Sequence, residues 1–146
     1  MITSQHHAFI DFKMAYDMVP ISLLLQKLEL RGASMGVLSL LASLFLRCSS
    51  RVVVNGVLSD PFPRSRGLFQ GSVLAPLLFD IFIDNLAIQL DELVTGDPAP
   101  HSLLFADDVK VHHTDPVTLQ SMLDVVDGWA ASNRMTINIS KSAVLT

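Results

Sequence analysis

Two adjacent aspartates, Asp107 and Asp108, interrupt the apolar run Leu103-Leu104-Phe105-Ala106-Asp107-Asp108-Val109-Lys110-Val111. Ionised carboxylates inside a hydrophobic segment are costly unless something pairs with them. Strand side chains alternate faces, so neighbouring acids on a flat strand would point opposite ways. A tight turn between two short apolar strands places both at its tip, and such a hairpin is predicted here. Another acid, Asp11, follows a second strand-like start, Ala8-Phe9-Ile10. Carboxylates on strand ends, with no matching cluster of bases, point to a divalent-cation site, since a hard cation takes oxygen ligands. Asp is also an ordinary turn residue, so the pair alone leaves both roles open.

At 146 residues the chain has room for one domain with a real core. Half of it is hydrophobic and its mean hydropathy is +0.46, so some apolar surface is expected to cover a partner or the remainder of a longer polypeptide. The longest apolar stretch, Val37 to Leu46, is too short for a bilayer span, and no membrane role is expected. Residues Met1 to His7 lack the charged and apolar regions of a signal peptide. The lone Cys48 excludes an internal disulfide and suits a reducing, intracellular setting. With 10 bases against 14 acids the formal charge is −4, the wrong sign for a generic nucleic-acid binder. Its distribution softens that: Arg47, Arg51, Arg64 and Arg66 share a window whose only acid is Asp60. A solvated loop and hairpin would carry the same charges.

A strand is expected over Ala8 to Phe12, then a helix from Pro20 with Ile21, Leu24, Leu25 and Leu28 on one face and Gly32 as its stop. A second helix spans about Ser34 to Arg47. Asn55-Gly56 between Val52-Val53-Val54 and Val57-Leu58 predicts a type I′ hairpin. Pro61-Phe62-Pro63 should break regular structure. A long helix runs from about Leu74 to Leu93, apolar except for a stripe with Asp80, Asp84 and Asp91, and so largely buried. Thr95 to Pro100 reads as a loop. Asp115-Pro116 opens a helix whose core stripe holds Leu119, Met122, Leu123, Val126, Trp129 and Ala130. A last strand, Thr136 to Ile139, leads to Lys141. His6, His7, His112 and His113 show no ligand spacing and are expected at the surface. The order predicts an α+β fold, a small antiparallel sheet backed by helices.

Several blocks resemble the palm of reverse transcriptases, in particular those of non-LTR retrotransposons, and they fall in that family's order. Phe9-Ile10-Asp11-Phe12-Lys13-Met14-Ala15-Tyr16-Asp17 resembles the first palm motif. Arg66-Gly67-Leu68-Phe69-Gln70-Gly71 and the following Ser72 to Phe79 resemble the Gln-Gly motif that opens the long palm helix. Phe105-Ala106-Asp107-Asp108 is similar to the aromatic-x-Asp-Asp signature. The helix ending near Trp129, with Asn133, Asn138 and Lys141-Ser142, resembles the fourth motif. The match runs from about Phe9 to Leu145.

That resemblance implies a polymerase palm and an RNA-directed DNA polymerase that joins deoxynucleoside triphosphates to a DNA primer on an RNA template. It implies two Mg²⁺ or Mn²⁺ ions bound by Asp11, Asp107, Asp108 and the backbone carbonyl of Phe12. Tyr16 would be the steric gate against a 2′-hydroxyl, although an aromatic ring packed beneath the sheet would look the same. Gln70 and Gly71 would meet the incoming nucleotide and template, and Arg66 nucleic acid. Lys141 would protonate the pyrophosphate leaving group, a general-acid role; a solvated lysine is the plainer alternative. Phe105 replaces the usual tyrosine of the signature, and Ala75 a common serine before Pro76. The family's fingers and thumb find no room in this length, so a single palm fragment of a longer polyprotein is expected. A non-catalytic remnant or binding module is the alternative, followed by an RNA-dependent RNA polymerase or an intron maturase.

Overall fold

The computed structural model describes residues 5–94 and 100–145. In chain order the elements are β1 (His6–Asp11), α1 (Ala15–Met18), α2 (Ile21–Leu30), α3 (Met35–Leu46), β2 (Ser49–Ser50), β3 (Val53–Val54), β4 (Val57–Leu58), β5 (Phe62–Pro63), α4 (Leu74–Leu93), β6 (Ser102–Phe105), β7 (Asp108–His113), α5 (Pro116–Ser132) and β8 (Ala143–Leu145). The loop expected over 95–100 lies outside the described residues apart from Pro100. Among the described residues no helix is long and apolar enough to cross a membrane.

Alternation along β1 buries Ala8 and Ile10 on one face and turns Phe9 and Asp11 to the other. The strand is central in an antiparallel sheet of order β6-β7-β1-β8. Its register with β7 sets Ala8 against Val111, Ile10 against Val109 and Asp11 against Asp108. β6 and β7 join through Ala106 and Asp107, with Phe105 paired to Asp108 and Ala106 at a φ of 52°. The expected hairpin is therefore present, with one adjustment: Asp107 sits in the turn, while Asp108 is already the first residue of β7.

Among the described residues, helices cover the face that carries Ala8, Ile10, Val109 and Val111 and leave the other open. α5 packs on β1 and β7, and α4 packs on α5, α2 and β6. Leu119, Met122, Val126, Trp129 and Ala130 of α5 are buried, and Leu123, the remaining residue of the stripe read from the sequence, is half-buried. Asp115 caps that helix, accepting from the Val117 and Thr118 amides at 3.3 and 2.9 Å. The Thr118 hydrogen bonds hold its carboxyl below the usual range. α4 carries Pro76 in its first turn, where no intrahelical bond is lost, and buries Leu78, Phe79, Phe82, Ile83, Leu86 and Leu90. Its acidic stripe is partly used, since Arg31 pairs with Asp84.

Lys27 is a departure from a purely apolar helix seam. Its ammonium donates to the Phe82 carbonyl at 2.6 Å and to Asn85 Oδ1 at 2.7 Å, and lies 4.2 Å from the Phe82 ring centroid. Asn85 Oδ1 also accepts from Trp129 Nε1 at 3.0 Å, so one amide ties α2, α4 and α5 together. Burial, aided by the Arg31 charge, lowers the Lys27 pKa to about 8.

Three expectations are corrected. Phe62 and Pro63 do not break structure; they form β5 and pair with β2 at Ser50 and Ser49, possible because the pair is an isolated two-strand ribbon with an open side. Thr136 to Ile139 is not a strand but a single bridge, Phe12 to Ile137, and the sheet's fourth strand is β8. The Asn138 carbonyl accepts from the Lys141 and Ser142 amides, folding the chain into a turn before it can continue as a ladder. The histidines are half-buried, not surface-exposed: His7 stacks on His112 with centroids 5.6 Å apart, and His101 lies against His112 and His113. The β1–β7 register opposes His6 to His113 and His7 to His112, which brings the rings together.

α3 buries only Leu41 and Phe45 and exposes Met35, Val37, Leu40, Leu44 and Leu46. The β3–β4 hairpin turns through Asn55 and Gly56, both at positive φ, as a type I′ turn requires, and is exposed throughout.

Candidate active site

The uncovered face of the sheet is built by register. Asp108 opposes both Asp11 and Phe105, and Lys110 opposes both Phe9 and Leu103. These side chains and Lys141 line a cavity of about 350 Å³. Residues directly opposite on antiparallel strands share a face with Cβ atoms roughly 4.5–5.5 Å apart, so Asp11 and Asp108 project from the same face of the sheet. Like charges so placed repel, and a cation between them offsets the repulsion. Asp107 follows one residue back in the turn, half-buried.

Asp11 is held from its other side. Asn138 Nδ2 donates to Asp11 Oδ2 at 2.8 Å, and the Asn138 amide donates to the Asp11 carbonyl at 2.7 Å. The Asp11 amide donates to Ser142 Oγ at 3.2 Å. Backbone carbonyls alternate sides along an extended chain. The Lys13 amide, in the same trans peptide unit as the Phe12 carbonyl, donates to the Thr136 carbonyl at 2.8 Å, so the Phe12 carbonyl points away from that segment. The Phe12 ring is buried at 2% exposure, 5.7 Å from the Trp129 ring, so only its backbone can serve the site.

Tyr16, Gln70, Gly71, Ser72, Val73, Ala75 and Pro76 line a second cavity of about 410 Å³ at the start of α4. The segment before it is anchored from within. Leu68 is fully buried, Phe69 stacks on Phe45 at 5.1 Å, and the Leu68 amide donates to the Tyr16 carbonyl at 2.8 Å. Gly67 adopts a φ of +92°, and a Cβ there would come within 3.0 Å of the Asp17 carbonyl oxygen, so this close crossing needs glycine. Gln70 then projects outwards and donates to Asp17 Oδ2 at 3.1 Å. The Tyr16 ring is fixed by stacking on Phe79 at 4.7 Å. Its hydroxyl is held above the ordinary phenol pKa by burial first, then by the charges of Asp107 and Asp80. Asp107 is thus felt in the second cavity while Asp108 lines the first.

The structure gathers Asp11, Asp108 and Lys141 in one cavity and Tyr16, Gln70 and Gly71 in the other. Arg66 stands apart, exposed and bridged through its backbone to Pro20. Asn138, Ser142 and Asp17 are the contacts that the residue-by-residue reading assigned no role. Asp17 follows Tyr16 directly, and Asn138 and Ser142 flank Lys141, but nothing in their spacing says what they touch. The donors at the acidic turn are all oxygen, the set a hard dication takes. Among the described residues no three His, Cys, Asp or Glu side chains are grouped so as to hold a metal ion by themselves. An ion here would complete its shell with water and substrate phosphate oxygens, as Mg²⁺ commonly does.

A small antiparallel sheet with one helix-covered face, an acidic hairpin and an uncovered substrate-sized face defines a polymerase palm-like fold. The family model for reverse transcriptase (RNA-dependent DNA polymerase) matches residues 1–146, and the chain belongs to that family. It is 26% identical over 142 residues to a retrovirus-related Pol polyprotein from the type-1 retrotransposable element R2 of Popillia japonica, covering 94% of this chain and 23% of that protein. It is 26% identical over 137 residues to the corresponding polyprotein of element R2DM of Drosophila melanogaster, covering 92% and 13%. These relatives bear out the non-LTR resemblance, and the chain spans under a quarter of their length. Among solved structures, telomerase from Candida albicans in complex with a fragment of telomeric RNA superposes with a TM-score of 0.80 at 17% identity, over 99% of this chain and 27% of that one. Apo telomerase from Candida tropicalis gives 0.78 at 14% identity, over 100% and 29%. At such identities the likeness is one of fold.

Proposed function

We propose that this chain is the catalytic palm of an RNA-directed DNA polymerase, part of a longer polypeptide whose fingers and thumb grip the nucleotide and the primer duplex. The observation that carries it is the pairing of Asp11 with Asp108 on the open sheet face, next to Asp107 and in one cavity with Lys141. Two divalent cations, Mg²⁺ or Mn²⁺, held by Asp11, Asp107, Asp108 and the Phe12 carbonyl would neutralise the charge that develops in phosphoryl transfer. The chain's own residues orient and select. Asp11, Asp107 and Asp108 supply the carboxylate ligands, with Asp11 and Asp108 opposed in register and Asp107 in the adjoining turn. Lys141 reaches the same cavity and can donate its proton to the departing pyrophosphate. Tyr16, braced by Phe79, offers a fixed wall under the sugar, while Gln70, tethered by Asp17, and Gly71 border the incoming nucleotide. An RNA template, a DNA primer and deoxynucleoside triphosphates are the substrates of this reading, and Arg66 contacts the nucleic acid.

Primer extension by the longer polypeptide tests it. Asp11→Asn or Asp107→Asn is expected to lower extension by about a thousandfold or more, equivalent to several kcal/mol of lost transition-state stabilisation. Near-normal extension by either variant would overturn the assignment. Tyr16→Ala is expected to raise the ratio of ribonucleotide to deoxynucleotide incorporated. An unchanged ratio would remove Tyr16 from the selecting role.

A further inference from the structure

We propose that the turn 138–142 is a clasp that positions Asp11, with Asn138 as its central residue holding Oδ2, so that Oδ1 is the oxygen presented to a cation. The proposal rests on Asp11 being a cation ligand, and adds what orients that ligand.

The turn grips Asp11 at its amide, its carbonyl and its side chain. Asn138 Nδ2 occupies Oδ2 at 2.8 Å, the Asn138 amide binds the Asp11 carbonyl at 2.7 Å, and Ser142 Oγ accepts from the Asp11 amide at 3.2 Å. Ser142 Oγ in turn donates to the Asn138 carbonyl at 2.9 Å, closing the loop on itself. An ionised carboxylate can only accept, so the nitrogen of the Asn138 amide must face Asp11. Ser140 Oγ donates to Asn138 Oδ1 at 2.9 Å, which fixes the other half of that amide. A hydrogen bond to a charged acceptor is about twice as strong as a neutral one, so this contact can hold the carboxylate against rotation. The same turn carries Lys141, whose amide donates to the Asn138 carbonyl at 3.0 Å while its side chain lines the Asp11 cavity. One short turn therefore sets both the orientation of a ligand and the place of the candidate proton donor.

The plainer role for Asn138 is turn formation alone. Removing it would then lower stability and leave the Asp11 carboxylate and its cation unaffected. Outer-sphere residues that orient a ligand usually change metal affinity 10- to 100-fold when removed. The test is a Mn²⁺ titration of the 146-residue chain, followed by the electron paramagnetic resonance signal of free Mn²⁺, with infrared difference spectra of the carboxylate stretches. Asp11→Asn identifies the Asp11 band and must abolish the site. Asn138→Ala is expected to weaken Mn²⁺ binding by about 10- to 100-fold and to shift the Asp11 band, with unchanged circular dichroism. Ser142→Ala should move both readouts the same way by less, and it decides the matter if Asn138→Ala does not fold. Wild-type affinity and an unshifted Asp11 band in whichever of these variants folds would overturn the clasp. Unchanged affinity in Asp11→Asn, or no Mn²⁺ bound by the wild-type chain, would instead overturn the cation site and the clasp with it.

Discussion

At one end of the β1–β7 ladder Asp11 faces Asp108, and at the other His6 and His7 face His113 and His112. Both ends place ionisable groups in register on adjacent strands, yet they are built in opposite ways. The acidic end opens into a cavity, keeps Asp108 exposed and holds Asp11 between two donors from Asn138 and an acceptor, Ser142 Oγ, from the turn that follows. The imidazole end is closed by ring stacking, and the buried Nδ1 atoms of His7 and His112 find no hydrogen-bond partner among the described residues. Oxygen atoms left accessible suit a cation; stacked, half-buried rings suit packing. The contrast teaches that register alone does not make a site. What surrounds the paired groups decides whether they can meet a ligand or only pack.

The largest expected effect comes from the floor of the acidic end. Phe12→Ala removes a ring at 2% exposure that packs against Trp129, and should cost about 3–5 kcal/mol in urea unfolding. Hydrogen exchange should then lose protection at Asp11 and Asp108 before His7 and His112; uniform loss would mean the two ends are one cooperative unit. Gly67→Ala should cost about 1–2 kcal/mol, because the position is left-handed and its Cβ meets the Asp17 carbonyl, and should weaken the Asp17–Gln70 tether. An unchanged melting temperature would show that the crossing can relax.

The imidazole end is probed by acid. His112 is held below its ordinary pKa by burial, with the charges of Lys110, His101 and His7 adding to it. The unfolded chain therefore takes up this proton first, near pH 6.5. The stability due to the neutral ring is present above that pH and declines as pH falls towards the folded value. His112→Phe should flatten the pH dependence of the melting temperature below 6.5; an identical profile would clear His112 of that role. The smallest effect belongs to Asp108→Asn. Relieving the cross-strand pair should stabilise the metal-free chain by a few tenths of a kcal/mol while weakening Mn²⁺ binding. Lower stability without metal would contradict the idea that the pair awaits a cation.

Much of this architecture was readable where one local force dominates. The bounds of α4, the Asn55-Gly56 hairpin and the Asp115-Pro116 cap follow from apolar continuity, positive-φ turn chemistry and side-chain capping. The acidic hairpin and the carboxylate of Asp11 were legible as a pattern. What the pattern lacked were contacts between distant segments. Lys27 draws no reading from the sequence, because its partners, a carbonyl of α4 and an indole face of α5, lie far along the chain. The histidine stack needs a register between segments far apart in the chain. β8 lies beyond the strand first expected because Asn138 turns the backbone, and that same turn grips Asp11.

The most direct measurement is a crystal structure of the chain grown with Mn²⁺, with anomalous difference density used to locate the metal. A peak touching Asp11 Oδ1 and a carboxylate of the Asp107–Asp108 turn is the predicted result. Fully ordered acidic residues with no peak among them, or a peak only at the histidines, would contradict the account.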